Sequence, residues 1–183
     1  IADIPKLSQL ANQHNIKLMV DNTFSPIIIS PIHLGAHIVI HSLTKFINGT
    51  SDCVAGCVCS TKEFISQLTD INSGASMLLG PVLDSYRAAS IMKNIHSLHI
   101  RIKKHSENAQ YLAEHLEKLG CKVFYPGLKS HNGHKKLKEI MNEGFGFGGM
   151  LAIDAGTTEK ANRLMAKMQI EKVGYLAVSL GYF

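Results

Sequence analysis

The sequence predicts an α/β fold. Helix-patterned stretches alternate with short apolar runs, two of those runs stop at clusters of polar residues, and one long stretch has neither proline nor glycine. Residues 3–14 place Ile4, Leu7, Leu10 and Ala11 at helical spacing, with Asp3 as a cap and Pro5 in the first turn. Ile16 to Val20 reads as a short buried strand that ends at Asp21-Asn22-Thr23. Residues 37–41 form a second strand, which ends at Ser42-Leu43-Thr44-Lys45. A third strand covers residues 53–59, with Ala55 and Gly56 inside it, and residues 61–70 return to a helical pattern. Such strands, apolar on both faces, belong to sheets covered by helices.

From Pro81 the pattern changes. Residues 83–118 are helix-forming throughout, with apolar positions at Ile91, Ile95, Leu98, Ile102, Ala109, Leu112 and Leu116. A break is expected near His96–Leu98, and Gly120 ends the helix. A second α/β unit follows: strand 121–125, polar loop 126–134, helix 135–142, strand 148–153, helix 157–168 and strand 173–180. Phe145-Gly146-Phe147-Gly148-Gly149 lacks the Lys-Ser/Thr ending of a phosphate loop and reads as a tight lead-in to a strand. The expected division is a first unit of 1–100 and a second of 101–183.

Composition excludes several functions. The 183 residues are 45% apolar and 18% charged, ordinary values for a globular protein. No apolar run is long enough for a transmembrane helix, and the first residues have no signal-peptide pattern. The formal net charge is +5, but the basic doublets Lys103-Lys104 and Lys135-Lys136 have no interleaved aromatic residues, so a solvated surface is expected rather than a nucleic-acid interface. Cys53, Cys57, Cys59 and Cys121 contain no CxxC pair and read as free thiols of a reducing, cytoplasmic compartment. His96 with His99, and His131 with His134, have no acidic or cysteine partner at ligand spacing, so no metal is expected. His41 reads as strand packing. The start at Ile1 and the stop within the apolar run ending at Phe183 suggest a piece cut at both ends.

The chemistry lies at the two polar clusters, because ligands of open α/β sheets bind at strand ends. One cluster offers the carboxylate Asp21; the other offers Ser42, Thr44 and the amine of Lys45, with Gly49 and Gly56 nearby. A lysine in a confined site can condense with an aldehyde, a carboxylate can hold a pyridinium nitrogen protonated, and hydroxyls can hold a phosphate. Taken alone, these residues fit a surface lysine and a turn-capping aspartate better than they fit such a site.

The longer text decides between the two. Val20-Asp21-Asn22-Thr23-Phe24, His41-Ser42-Leu43-Thr44-Lys45-Phe46-Ile47-Asn48-Gly49 and Asp52-Cys53-Val54-Ala55-Gly56 resemble the signature of the pyridoxal-phosphate (PLP) enzymes of Cys/Met metabolism, the trans-sulfuration enzymes. Tyr125-Pro126-Gly127-Leu128 and Ala177-Val178-Ser179-Leu180-Gly181 resemble later landmarks of that family, so the likeness covers the whole chain.

The resemblance implies the PLP fold-type I architecture, with the later large domain and the start of a small C-terminal domain. It implies pyridoxal 5'-phosphate as cofactor and a homo-oligomer, dimer or tetramer. It makes Lys45 the residue that holds the cofactor and moves protons, Asp21 the partner of the pyridinium nitrogen, and Ser42 and Thr44 the contacts of the phosphate. Ser179 is placed near the substrate carboxylate. The family's chains are about twice this length, and its glycine-containing phosphate loop, stacking aromatic residue and carboxylate-gripping arginine fall outside this sequence. Met77-Leu78-Leu79-Gly80-Pro81, Tyr125 to His131 and Ser179-Leu180-Gly181-Tyr182 most resemble the methionine γ-lyase branch, with a cystathionine lyase or synthase as the alternative. A non-catalytic relative is disfavoured because Asp21, Ser42, Thr44 and Lys45 occur together.

Overall fold

The computed structural model describes residues 1–171. The expected strand 173–180, and Ser179 with it, lies outside the described residues. Helix α1 (Ile4–Gln13) starts where Asp3 accepts the Lys6 N–H at 3.3 Å, and it buries Ile4, Ser8 and Ala11. The Ile16 N–H then returns to Ala11 O at 3.0 Å, and Asn15 adopts a left-handed φ of 53°. That turn delays strand β1 to Met19–Asp21, three residues later than the apolar run suggested. β2 (Ile38–Ser42) lies parallel to it, with Met19 opposite Ile38 and Asp21 opposite Ile40. β3 (Gly56–Cys59) runs antiparallel along the other side of β2, with His41 opposite Cys57 and Ser42 opposite Gly56. The three-stranded order is β1-β2-β3.

The strands are less buried than their composition suggests. Ile38 and Val39 are buried, while Met19 and Val58 are 53% and 43% exposed. Ile4, Ala36 and Val39 close with Leu18 and Val20 into one cluster under α1. Residues 53–55 do not join β3, because Thr44 captures the Ala55 peptide instead: its hydroxyl accepts the Ala55 N–H at 2.9 Å.

Four helices follow: α2 (Lys62–Leu68), capped by Thr61; the short α3 (Ala75–Leu79), which ends at Gly80 with φ 65° and which the sequence pattern did not separate; α4 (Ser85–Ile95), capped by Asp84; and α5 (Leu98–Lys118). The long helical stretch is thus broken at His96–Ser97, as expected. Ile91, Leu98 and Ile102 from α4 and α5 pack with Ile28, Ile47 and Cys53 into the main core.

The later residues build a smaller two-stranded sheet of β4 (Lys122–Phe124) against β5 (Ala152–Asp154), with α6 (His134–Ile140) between them and α7 (Thr158–Ile170) after them. β5 begins later than expected because Gly144, Gly146 and Gly148 all take positive φ. A Cβ on Gly146 would press on the Ser106 side chain at 2.6 Å, so the loop lies directly on α5. Asn142 joins this unit to the first: its N–H donates to Ile28 O at 2.7 Å and its amide to Ile27 O at 2.7 Å.

Tyr125 holds the second core together. It is fully buried with Ala109, Ala113 and Leu128, and its hydroxyl donates to Gly148 O at 2.8 Å and Ser106 O at 3.3 Å. Burial pushes its phenol up to about 12. Tyr125→Phe leaves both carbonyls without that donor and is expected to lower stability by about 1–3 kcal/mol, read by thermal or urea denaturation. The sign with pH follows. The phenol stays neutral in the fold but ionises near 10 in the unfolded chain, so its contribution is intact below pH 10 and is lost as the pH rises through about 12. The variant should lack that alkaline loss.

Candidate active site

The ends of β1 and β2 are tied together by Thr23. Its N–H donates to Asp21 Oδ1 at 3.0 Å, and its hydroxyl oxygen accepts the Ser42 N–H at 2.8 Å. The Thr23 hydroxyl, then its backbone N–H, hold the Asp21 carboxyl below its ordinary value; partial burial opposes this, and His41 adds a weaker electrostatic pull in the same direction as Thr23. Asp21 is therefore an ionised carboxylate at neutral pH, fixed at the end of its strand. Asn22 is buried beside it and structural: its amide donates to Ile29 O at 3.1 Å and its carbonyl accepts the Ser25 hydroxyl at 2.6 Å.

His41 is the polar exception in this part of the sheet. Its Nδ1 is buried without a hydrogen-bond partner among the described residues, and burial lowers its basicity. It therefore stays neutral beside Asp21, in keeping with a packing role.

After Ser42 the chain enters a wide turn of π-helical type, Leu43–Ile47, interrupted at Lys45 where ψ is −120°. The two hydroxyls before the lysine differ. No hydrogen bond occupies the Ser42 hydroxyl among the described residues. The Thr44 hydroxyl accepts from Ala55 N at 2.9 Å and donates to Ala55 O at 3.3 Å. Lys45 opens onto a cleft of about 320 Å³ that Arg101 and His105 of α5 also line, with Gly149 and Met150 from the later unit. Phe46 stands between Phe24, 6.1 Å away edge-on, and His105, 5.6 Å away edge-on, linking the end of β1 to α5. Burial and the nearby Arg101 lower the basicity of His105.

Asp21 and Ser42 thus share one end of the sheet, and Lys45 follows from it within three residues. Asp21, Ser42 and Thr44 are not among the residues lining the Lys45 cleft. Thr23 was read from the sequence as the last residue of the polar cluster after β1, without a role. Arg101 and His105 were not singled out: nothing in the local text of α5 marks them, and they matter only because the helix crosses the lysine turn.

Among the described residues no group of three or more His, Cys, Asp or Glu side chains is arranged to hold a metal ion. The donor set suits an aldehyde-bearing pyridine phosphate: the Lys45 amine at a cleft, the Asp21 carboxylate held ionised, and the Ser42 hydroxyl, which no hydrogen bond occupies among the described residues. None of the described helices is long and apolar enough to cross a membrane.

By its likeness to solved trans-sulfuration enzymes, this mixed helix-and-strand chain is part of a fold-type I PLP enzyme. The structure of cystathionine γ-synthase from Xanthomonas oryzae pv. oryzae, in complex with aminoacrylate and cysteine, aligns with a TM-score of 0.85 at 31% identity, over 99% of this chain and 46% of that one. Residues 1–183 match the Cys/Met metabolism PLP-dependent enzyme family in full, and the chain belongs to that family. Methionine γ-lyase of Arabidopsis thaliana is 45% identical over all of this chain and 42% of its own length. Cystathionine β-lyase of Lactococcus lactis subsp. cremoris is 41% identical over 99% of this chain and 46% of its own length. The chain thus spans less than half the length of the curated relatives it matches.

Proposed function

We propose that this chain carries the lysine-bearing part of a PLP-dependent carbon–sulfur lyase acting on L-methionine, by α,γ-elimination to methanethiol, ammonia and 2-oxobutanoate. The observation that carries the proposal is the placement of Lys45 at a cleft, directly after the sheet end where Thr23 keeps Asp21 ionised. Pyridoxal phosphate, when bound, supplies an aldehyde that condenses with amines and a ring that accepts electrons from the substrate's α-carbon.

The chain's own residues do the rest. Lys45 Nζ would hold the cofactor through its aldehyde group and move protons at the substrate carbons. Asp21 would accept a hydrogen bond from the protonated pyridine nitrogen, and the Ser42 hydroxyl would donate to the phosphate. Thr44 can join it by giving up its long bond to Ala55 O while keeping the shorter one it accepts. Ser179 is proposed to lie by the substrate carboxylate. Residues 1–100 would carry the cofactor and 101–183 would flank the cleft, in a cytoplasmic homo-oligomer of two or four chains.

Similarity to the Lactococcus cystathionine β-lyase supports a second reading, in which cystathionine is the substrate. The holoenzyme given L-methionine, L-cystathionine and an O-substituted homoserine separately decides between them. Methanethiol and 2-oxobutanoate from methionine are the expected products. Turnover of cystathionine or the homoserine ester alone would assign the chain to a neighbouring branch.

A further inference from the structure

Backbone bonding closes the turn bearing Lys45 but leaves two of its carbonyls to other partners. The turn is closed by Asn48 N–H to Leu43 O at 2.9 Å and Gly49 N–H to Lys45 O at 2.8 Å. The carbonyls of Phe46 and Ile47, which follow the lysine directly, sit at the end of a helical turn with no next turn to bond them. Both are met by one side chain from another element. Arg101, in the first turn of α5, donates from Nη1 to Phe46 O at 2.6 Å and from Nη2 to Ile47 O at 3.0 Å.

The same guanidinium is held on its far side by the helix break. Its Nε donates to Ser97 Oγ at 3.0 Å, and Nη2 also reaches Asn94 O at 3.3 Å. A second tie runs beside it: the Asn94 amide donates to Asn48 Oδ1 at 2.8 Å, and Asn48 in turn donates to Asp52 Oδ1 at 2.7 Å. Gly49 leaves the space: a Cβ there would collide with the Arg101 guanidinium, and its φ of 74° disfavours any side chain.

We infer that Arg101 is a positioning residue for Lys45, a planar fork that fixes the lysine turn against the α4–α5 junction so that the amine faces the cleft both residues line. This rests on the reading of Lys45 as the residue that holds the cofactor. Arginine suits the task because its donors diverge in one rigid plane toward two successive carbonyls; a lysine ammonium has the charge without the fork. Cation placement at the carbonyl end of a turn adds a favourable field.

The test uses the apo form of the enzyme titrated with pyridoxal phosphate, with borohydride trapping to identify the lysine modified. Arg101→Ala is expected to weaken cofactor affinity by roughly tenfold to hundredfold, the worth of one charge-assisted bond. Millimolar methylguanidinium should restore much of it and methylammonium should not, a pattern that a general packing defect would not give. Where Arg101→Ala fails to fold, Arg101→Lys decides: it is expected to fold and to bind the cofactor several-fold more weakly. Wild-type affinity in whichever of the two variants folds, or equal rescue by both cations, overturns the inference. Trapping of the cofactor elsewhere than Lys45 in the unaltered enzyme overturns the reading on which it rests.

Discussion

Replacing Lys45 with alanine is expected to abolish turnover, with a loss of at least about a thousandfold, and to remove the visible absorbance that bound pyridoxal phosphate gives. Two functions disappear with one amine. The covalent anchor goes, and so does the group that moves protons at the substrate carbons, a contribution that by itself is worth about 10²–10⁴ in rate. The fold should survive. Lys45 lies outside the buried core, and the turn around it is closed by Leu43 O, Arg101 and the Ala55 peptide. Circular dichroism and melting temperature near those of the unaltered protein, together with lost absorbance, are the expected pair of results. If borohydride fixed the cofactor to another lysine in the parent protein, Lys45 would have no such role.

The second large effect belongs to Asp21. Asp21→Asn should still bind cofactor, since the phosphate and aldehyde contacts lie elsewhere, but turnover should fall by about one to two orders of magnitude. A charge-assisted hydrogen bond is worth about 1.5–3 kcal/mol, and each 1.36 kcal/mol is a factor of ten. The full loss appears in kcat when the bond strengthens as charge moves onto the ring. Asp21 also predicts a pH dependence. Its carboxyl is held below the ordinary value by Thr23, so the ionised form persists through the mildly acidic range and is lost only as the pH falls below that range. Thr23→Val removes the hydroxyl part of that hold. It should move the acidic limb of the rate profile toward higher pH, while the N–H bond of residue 23 remains. A rate for Asp21→Asn close to that of the parent would remove Asp21 from the mechanism.

The two variants probe residues whose places were legible for one reason and whose roles came from the family resemblance. Asp21 ends β1 and Lys45 follows the end of β2 by three residues, and strand ends can be read from where apolar runs stop. Ser42 could be read the same way. Thr44 was readable as a hydroxyl beside the lysine, but not as one committed to the Ala55 peptide: that bond depends on residues 53–55 turning away from β3, a choice invisible in a run of small and apolar residues. The start of β1 was misplaced for a related reason. Ile16 and Leu18 have strand character, yet the bond from the Ile16 N–H back to Ala11 O and the left-handed Asn15 hold the chain back until Met19. Local preference lost to the geometry of the preceding turn.

By itself the sequence determined the α/β class, the capped α1, the break near His96–Leu98 and the polar cluster that bears the lysine. These are set by hydrophobic period, capping residues and turn chemistry, all of which act over a few positions. Only the tertiary structure decided that Arg101, 56 positions beyond Lys45 in the numbering, closes the lysine turn, that Phe46 is packed between Phe24 and His105, and that Tyr125 pins the glycine-rich loop to α5. Each of these contacts joins groups far apart along the chain. A side chain's spacing from its sequence neighbours says which face of a helix it occupies, but the partner waiting at that face is fixed only when the helices and the sheet have packed.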